Sequence, residues 1–469
     1  MKMPSWLVSL VMHLMLLVML GVCYVRIDLE DPPRILTALP LDPKLEEIEQ
    51  VPEVPILRPD LEKSAETLPK TFSSAALPDT PFTDEPVMED SPIDEGFDPI
   101  GPEVIVDGLH KIPGSGGSGG FSNRDPARRR PGGGDGPTVA SEAAVGLALR
   151  WLALHQRPDG SWSFDHRHGP CKTNAGGLAD AFNGATAMSL MPYLGAGQTH
   201  KDGRYKAQVK AGLAYLITHM KVKEGKYGDL SDSGNLYSHG IATIVLCEAY
   251  GMSNDRALLK PAQAALDYIV YAQDPVGGGW RYAPRQAGDT SVVGWQLMAL
   301  KSGHLAYLNV PPTTIKGASV FLDSVQADSG AAYGYTSPGE GQATSSIGLL
   351  CRMHLGWKKD HGALERGVKR LAKLGPSKNN LYYNYYATQV LRQFGGDDWK
   401  TWNDVLRDQL VATQATAGAE RGSWYVAGDH GSDRGGRIYS TSMATMILEV
   451  YYRLQPIYQG QAVEEDFPL

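Results

Sequence analysis

The sequence has few cysteines, and they are not grouped. Four occur among 469 residues, and no two of them lie close enough in sequence to form a paired motif. This spacing excludes a disulfide-stabilised scaffold and gives no zinc-binding signature. The four positions are Cys23, Cys171, Cys247 and Cys351.

Dense clusters of basic residues are also missing. The formal net charge is -8, with 44 Lys and Arg against 52 Asp and Glu. Residues 28–107 hold 21 acidic and 5 basic residues, so one acidic segment precedes a mildly basic remainder. A nucleic-acid-binding domain normally carries a concentrated basic surface. We therefore expect no nucleic acid among the partners.

Residues 6–25 form a long apolar run. At about 1.5 Å per residue, twenty helical residues just span a hydrocarbon core about 30 Å thick. Lys2 precedes the run and Arg26 follows it, ahead of an acidic stretch. We predict a single-pass transmembrane anchor over residues 1–27, with the rest of the chain on the non-cytoplasmic side. A cleaved signal peptide is the alternative, although no clear Ala-x-Ala site is present.

The chain from residue 28 to residue 137 has the composition of a disordered linker. It is acidic and rich in proline as far as Pro102, and a Gly/Ser-rich stretch follows at residues 114–120. Such a segment buries too little apolar surface to fold alone, and Gly/Ser-rich sequence behaves as a flexible tether. Residues 459–469 are predicted to be a C-terminal tail.

From Ser141 onward the chain alternates longer, more polar helices with helices rich in small apolar residues. The predicted pairs are 142–155 with 183–195, 207–220 with 241–250, 261–273 with 289–303, 314–326 with 343–355, 363–374 with 382–394, and 402–414 with 439–454. A recurring unit of this size indicates a repeat architecture. Six antiparallel pairs can close into a ring with the apolar helices inside, and an open solenoid is the alternative.

Three of the repeats end alike, with a glutamine followed by a Gly-x-Trp element. The glutamines are Gln156, Gln273 and Gln414, and the tryptophans are Trp162, Trp280 and Trp424. This pattern resembles the Gln-Trp repeats of squalene cyclases and of protein prenyltransferase β-subunits. The resemblance spans residues 141–458 and implies an all-α fold, a single (α/α)6 toroid over residues 138–458.

The catalytic motifs of these families are not present. A squalene–hopene-type cyclase protonates its substrate with the middle aspartate of Asp-x-Asp-Asp-Thr, and the matching segment here is Gln286-Ala287-Gly288-Asp289-Thr290. Glycine stands where the proton donor would be. The Asp-x-Cys zinc ligands of the prenyltransferases and the Cys-Gly-Glu-Gln stretch of complement-type thioester domains are also missing. We therefore predict no metal and no cofactor.

Polar and aromatic residues mark the starts of the inner helices. In a ring of hairpins all inner helices point the same way, so these residues should meet at one end, where helix dipoles favour anionic groups. The candidate catalytic residue is Asp289, and the simpler alternative makes it a helix cap. The candidate ligand-binding residues are Asn183, Tyr237, His239, Trp295, Tyr382, Tyr383, Asn384 and Tyr439.

Two classes of function remain open at this point. The first is a membrane-anchored, non-catalytic binding or scaffold toroid of a bacterial envelope, with another envelope protein as its partner. The second is a terpenoid cyclase-like or other lipid-processing enzyme with a non-standard acid, acting on an isoprenoid or lipid-like ligand. A closed aromatic-lined cavity would favour the enzyme, and a filled core would favour the scaffold.

Overall fold

The computed structural model describes residues 136–453, together with Phe121, Arg124 and residues 457–458. The predicted transmembrane span, most of the predicted linker and the predicted tail lie outside these residues. Within the described part, no helix is both long enough and apolar enough to cross a membrane.

Helices dominate the described chain. They are α1 Val139–Leu154, α2 Phe182–Gly195, α3 Lys206–Thr218, α4 Asn235–Ser253, α5 Arg256–Ala272, α6 Thr290–Leu305, α7 Pro312–Val325, α8 Gln342–His354, α9 Gly362–Leu374, α10 Leu381–Phe394, α11 Gly396–Thr413, α12 His430–Leu448 and the short α13 Val450–Arg453. Two small antiparallel hairpins, which the sequence did not predict, pair β1 Lys221–Lys223 with β2 Tyr227–Asp229 and β3 Gln326–Ala327 with β4 Ala332–Tyr333.

The even-numbered helices from α2 to α12 form a closed inner ring. Each contacts the next along the series, and α12 returns to contact α2. The odd-numbered helices from α1 to α11 pack outside them, and α11 also contacts α1. This closure fits the predicted six-hairpin ring rather than an open solenoid.

The glutamine of the repeated corner joins one outer helix to the next. Gln156 Nε2 donates to Gly160 O at 2.9 Å and to Gln208 O of α3 at 2.9 Å. Gln273 makes the same pair of bonds to its own turn and to α7. Gln414 Nε2 donates to Gly422 O in its own turn and to Ala144 O of α1, and both bonds are buried. The bond to Ala144 links the last outer helix to the first. The corner is therefore also the ring's closing contact.

The tryptophan of each corner caps the end of the helix that precedes it. The indole N–H of Trp162, Trp280 and Trp424 donates to the carbonyl oxygen of Leu152, Ile269 and Leu410 respectively, at 2.7–2.8 Å. All three indoles are buried. The predicted structural role of these tryptophans is confirmed by these contacts.

Several predicted helix boundaries are wrong. Helix α5 begins at Arg256 rather than near Pro261, because Asp255 caps it and Pro261 sits within its first two turns. Gly303 does not end α6, which continues to Leu305; the glycine instead leaves room for Leu266 of α5. Helix α12 begins nine residues before Tyr439, but Gly436 breaks it with φ 58° and ψ -153°.

Two residues of the predicted linker belong to the folded toroid. Phe121 and Arg124 are each only 2% exposed. The interpretation of residues 28–137 as a linker therefore fails at these two positions, because both side chains find partners on the ring.

Candidate functional site

The inner helices begin at a common end of the ring, which we call the mouth. Asp289 caps α6 there: its Oδ1 accepts a hydrogen bond from Val292 N at 2.9 Å. The side chain is fully buried. Its Oδ2 makes no hydrogen bond within the described chain and lies 3.8 Å from Arg281 Nε. Burial raises the pKa of Asp289, whereas the capped N–H of Val292 opposes the rise.

Two further carboxylates cap inner helices, and the sequence analysis missed both. Asp232 Oδ2 accepts hydrogen bonds from Asn183 N at 2.7 Å and from Gly184 N at 3.2 Å. Asp232 lies in the turn that precedes α4 and therefore caps α2 from a neighbouring element. Asp429 caps α12 through Ser432 N and also accepts from Leu381 N at the start of α10. An aspartate just before a helical stretch is the sequence signal that identifies Asp429 as a cap, whereas the contact of Asp232 with α2 comes from tertiary structure. Capping is thus the shared role of these mouth carboxylates.

The position of the cyclase proton donor has no room for a side chain. A Cβ on Gly288 would lie 2.7 Å from Gly279 Cα and 2.9 Å from the ring of Phe321. Gln286, at the place of the motif's first aspartate, is exposed, and its side-chain oxygen accepts from Ala283 N. The loop is therefore packed for glycine, and Asp289 has no second carboxylate from this motif beside it.

Tyrosines surround Asp289 at the mouth. The pKa of Tyr237 is raised well above its usual range by burial and by the neighbouring Tyr382 and Asp289. Tyr382 donates to Ser291 O at 3.5 Å. Burial and the Asp429 carboxylate raise the pKa of Tyr439, and Tyr382 adds to the effect. The mouth thus keeps its phenols neutral and brings together Tyr237, Asp289, Tyr382 and Tyr439 from the predicted set.

An exposed group lies on the rim of the mouth beside Asp289. We call Arg281, Tyr282 and Tyr335 the rim group. The Arg281 side chain is 34% exposed, and Tyr282 and Tyr335 are 42% and 37% exposed as whole residues. The two phenol oxygens lie 2.6 Å apart, and the guanidinium carbon of Arg281 lies 5.3 Å and 5.9 Å from the centres of the two rings. Sequence reasoning missed this group because it joins two loops more than fifty residues apart.

The interior next to the mouth is filled by aromatic rings. Trp295 of α6 stacks on Tyr385 of α10 with centroids 5.6 Å apart, and it meets Tyr386 edge-on at 5.8 Å. Tyr385 and Tyr386 meet each other at 5.1 Å. Since α8 separates α6 from α10 in the ring, these contacts cross the inside of the barrel. All three side chains are at most 2% exposed.

Four of the predicted ligand-binding residues make hydrogen bonds within the fold. His239 Nδ1 accepts from Leu230 N at 3.2 Å, and its Nε2 contacts Ala265 O at 3.1 Å. Burial lowers the pKa of His239 to about 4, so the ring is neutral at pH 7. Asn183, Tyr383 and Asn384 bond backbone carbonyls of neighbouring loops, with partners Leu230 O, Gly375 O and Ser377 O. These four residues lie near the inner-helix starts as expected, and each makes at least one side-chain hydrogen bond within the protein.

The described cysteines and histidines form no metal centre. No group of three or more His, Cys, Asp or Glu side chains among the described residues is arranged to hold a metal ion. Cys171, Cys247 and Cys351 are buried, and burial raises the pKa of Cys351 to about 12. A thiol with such a pKa stays protonated at neutral pH and is a poor nucleophile.

Comparisons with known proteins find only remote structural similarity. No protein-family model matches the chain, and no curated protein matches it. Among solved structures, the GH76A α-1,6-mannanase of a Salegentibacter species aligns with a TM-score of 0.47 at 10% identity, over 66% of this chain and 98% of that chain. The type II terpene cyclase MstE from Scytonema, in complex with its product, gives 0.46 at 12% identity, over 67% and 98%. An α-amylase from Clostridium perfringens gives 0.47 at 10% identity, over 66% and 97%. Similarity at this level assigns no chemistry to the chain.

Proposed function

We propose that this toroid is a non-catalytic binding module, anchored to a bacterial envelope membrane by residues 1–27, that recognises a partner protein at its mouth. The observation that carries the proposal is the engagement of Asp289. One oxygen of this carboxylate caps α6, and Gly288 leaves no space for the neighbouring acid that cyclase chemistry uses. Protonating an isolated alkene needs a strong, positioned acid, and a single capping carboxylate does not supply it.

The aromatic cluster just inside the mouth supports binding at the surface rather than inside the ring. Trp295, Tyr385 and Tyr386 occupy the space next to the mouth where a lipid-like chain would have to enter. A small-molecule pocket normally buries most of its ligand's surface. The partner is therefore expected to contact the rim group from outside.

The composition of the rim group favours a protein partner. Tyrosine and arginine are enriched among the residues that dominate protein–protein binding energy. Here one guanidinium lies beside two hydrogen-bonded phenols, all partly exposed at one loop junction. The phenols can also cover apolar area while keeping a polar contact.

The test is capture of an envelope partner by the purified full-length chain carrying rim variants. Tyr335→Ala and Arg281→Ala should each lower recovery of the same crosslinked partner at least about tenfold, since hot-spot truncations cost about 2 kcal/mol or more. The matched control is Tyr307→Ala, because Tyr307 is 72% exposed at the opposite end of α6. Equal recovery with the rim variants and the wild type would reject the rim as the binding surface.

A further inference from the structure

A buried ion cluster closes the end of the ring opposite the mouth. Glu248 of α4 lies 2.8 Å from Arg124 Nη1 and 3.1 Å from Arg453 Nη2. Glu449, at the end of α12, lies 4.0 Å from Arg453 Nη1. None of these four side chains is more than 5% exposed. We call the four the base cluster.

Arg124 occupies a position built from several different elements. Its Nε donates to Arg453 O at 3.0 Å, and its Nη1 donates to Glu248 Oε2 at 2.8 Å. Leu194 O, at the end of α2, lies 3.5 Å from the same Nη1. Helix C-terminal ends carry partial negative charge and favour a cation. The planar, forked guanidinium reaches two carbonyls and a carboxylate at once, which an ammonium group cannot reproduce.

Two guanidiniums, those of Arg124 and Arg453, compensate the buried carboxylate of Glu248. Without Arg124, only Arg453 would remain beside that carboxylate within the cluster. Burial raises the pKa of Glu248, but Arg124 and Arg453 outweigh burial and leave that pKa lowered. An uncompensated buried charge is strongly unfavourable. The base therefore favours a second guanidinium beside that of Arg453, and Arg124 supplies it.

Phe121 provides a second, apolar contact close by. Its ring lies against Gly251 of α4, where an added Cβ would be 2.3 Å from the phenyl Cε2 and also close to Ala306. The guanidinium carbon of Arg124 sits 5.0 Å from the centre of the same ring. Gly251 thus makes the space that the phenyl ring occupies between the ends of α4 and α6.

We propose that the base of the ring is an arginine-recognition site whose occupant is the chain's own Phe121 and Arg124. This docking fixes Phe121 and Arg124 at the end of the toroid opposite the mouth. The docking is independent of the proposed function, because no mouth residue takes part in it.

The experiment uses the full-length chain with a specific protease site inserted between Gly132 and Gly133. After cleavage, the fragment of residues 1–132 should remain bound to the wild-type toroid without a covalent link. Arg124→Ala should raise its dissociation constant about 30-fold or more, since breaking a buried charge pair affects mainly dissociation, and Arg124→Lys should recover only part of the affinity. Arg58→Ala is the control for losing one positive charge from that fragment, and it should bind as the wild type does.

A second pair of variants tests the docking without changing charge. Gly251→Ala should release the cleaved fragment in the wild-type background but have no further effect when Phe121→Ala is already present. Loss of the wild-type fragment on gel filtration, or equal affinity for Arg124→Ala and the wild type, would overturn the proposal. If the wild type eluted on gel filtration as a dimer and Arg124→Ala eluted as a monomer, Arg124 would be docking onto a second copy of the chain. That result would overturn the assignment of the occupant to the same chain.

Discussion

At the scale of single residues, the three mouth aspartates all cap helices but differ in what their second carboxylate oxygen contacts. Asp232 and Asp429 use both carboxylate oxygens on backbone N–H groups. Asp289 uses only one, and its other oxygen faces Arg281 across 3.8 Å. A cap needs an oxygen at the right place, and an acid needs a proton at neutral pH. The geometry of Asp289 satisfies the first requirement through Val292 N.

Asp289→Asn should change the free energy of unfolding by less than about 1 kcal/mol, because asparagine caps a helix as well as aspartate does. Asp289→Ala is the matched variant that removes the cap, and we expect it to cost about 1–2 kcal/mol. Urea denaturation of the two variants beside the wild type measures both values. An Asn variant as unstable as the Ala variant would show that the charge, rather than the cap, is what α6 requires.

Buried histidines should make the toroid less stable in mild acid. Burial lowers the pKa of His155 to about 3 and those of His166 and His239 to about 4, whereas an unfolded histidine titrates near 6.5. The unfolded chain therefore binds more protons below pH 6.5, and the stabilisation present above that pH is lost as the pH falls towards 4.

Each such histidine should lower the free energy of unfolding by up to about 1.4 kcal/mol per pH unit below 6.5. Chemical denaturation between pH 7.5 and pH 5 measures this slope. Replacing His239 by Gln should reduce this slope by up to about 1.4 kcal/mol per pH unit, the contribution expected of one histidine. A free energy of unfolding that stays constant over this range would contradict the assignment of these rings as neutral.

At the scale of elements, the Gln-Trp corner is the unit that the ring repeats. The glutamine ties its own turn to the next outer helix, and the indole N–H closes the preceding helix. The turn glycine Gly278 has φ 72°, and a Cβ there would lie 2.1 Å from Gly317 O, so the neighbouring repeats approach through it. Burial and hydrogen bonding therefore act together at each corner.

Trp280→Ala should destabilise the toroid by about 3–5 kcal/mol, because a fully buried indole is replaced by a cavity. Trp280→Phe keeps most of the packing but loses the bond to Ile269 O, so its cost should be clearly smaller. Thermal and denaturant unfolding compare the two. A loss below about 1 kcal/mol for the alanine variant would mean that the corner is not a structural contact.

Sequence periodicity predicted all twelve ring helices, because each hairpin repeats the same burial pattern. The errors arise where tertiary contacts override local signals. Pro261 predicts a helix start, yet it is tolerated in the second turn of α5. Gly303 predicts a helix stop, yet it lies inside α6 and packs against Leu266. Helix α12 extends through a kink at Gly436, which no periodic pattern indicates.

At the scale of the whole molecule, the ring is closed at its circumference, packed with aromatic rings just inside its mouth and occupied at its base. The aromatic rings of α6 and α10 meet across the interior, and the base cluster joins α2, α4 and the end of α12. Sequence reasoning placed the inner-helix starts at one end, but it could not give the direction of each side chain. His239 and Asn384 face their own loops, and Arg281 joined the site through tertiary structure alone.

The proposed membrane anchor predicts where the protein is found after cell lysis. The apolar run at residues 6–25 is followed by an acidic, proline-rich segment, so the full-length chain should sediment with membranes and need detergent for extraction. Limited proteolysis should release a stable toroid fragment. Recovery of the intact chain in the soluble fraction without detergent would contradict the anchor.

The most direct test of the central claim, that Asp289 caps a helix and does not protonate a substrate, is a solvent-deuterium experiment. The wild type and Asp289→Asn are incubated with squalene and with geranylgeranyl diphosphate in D2O, and the extracts are examined by mass spectrometry. Acid-initiated cyclisation would transfer one solvent deuteron to the product. We predict that neither protein gives a cyclised, deuterated product, while both remain folded. A deuterated cyclic product that forms with the wild type and is lost in Asp289→Asn would contradict the account.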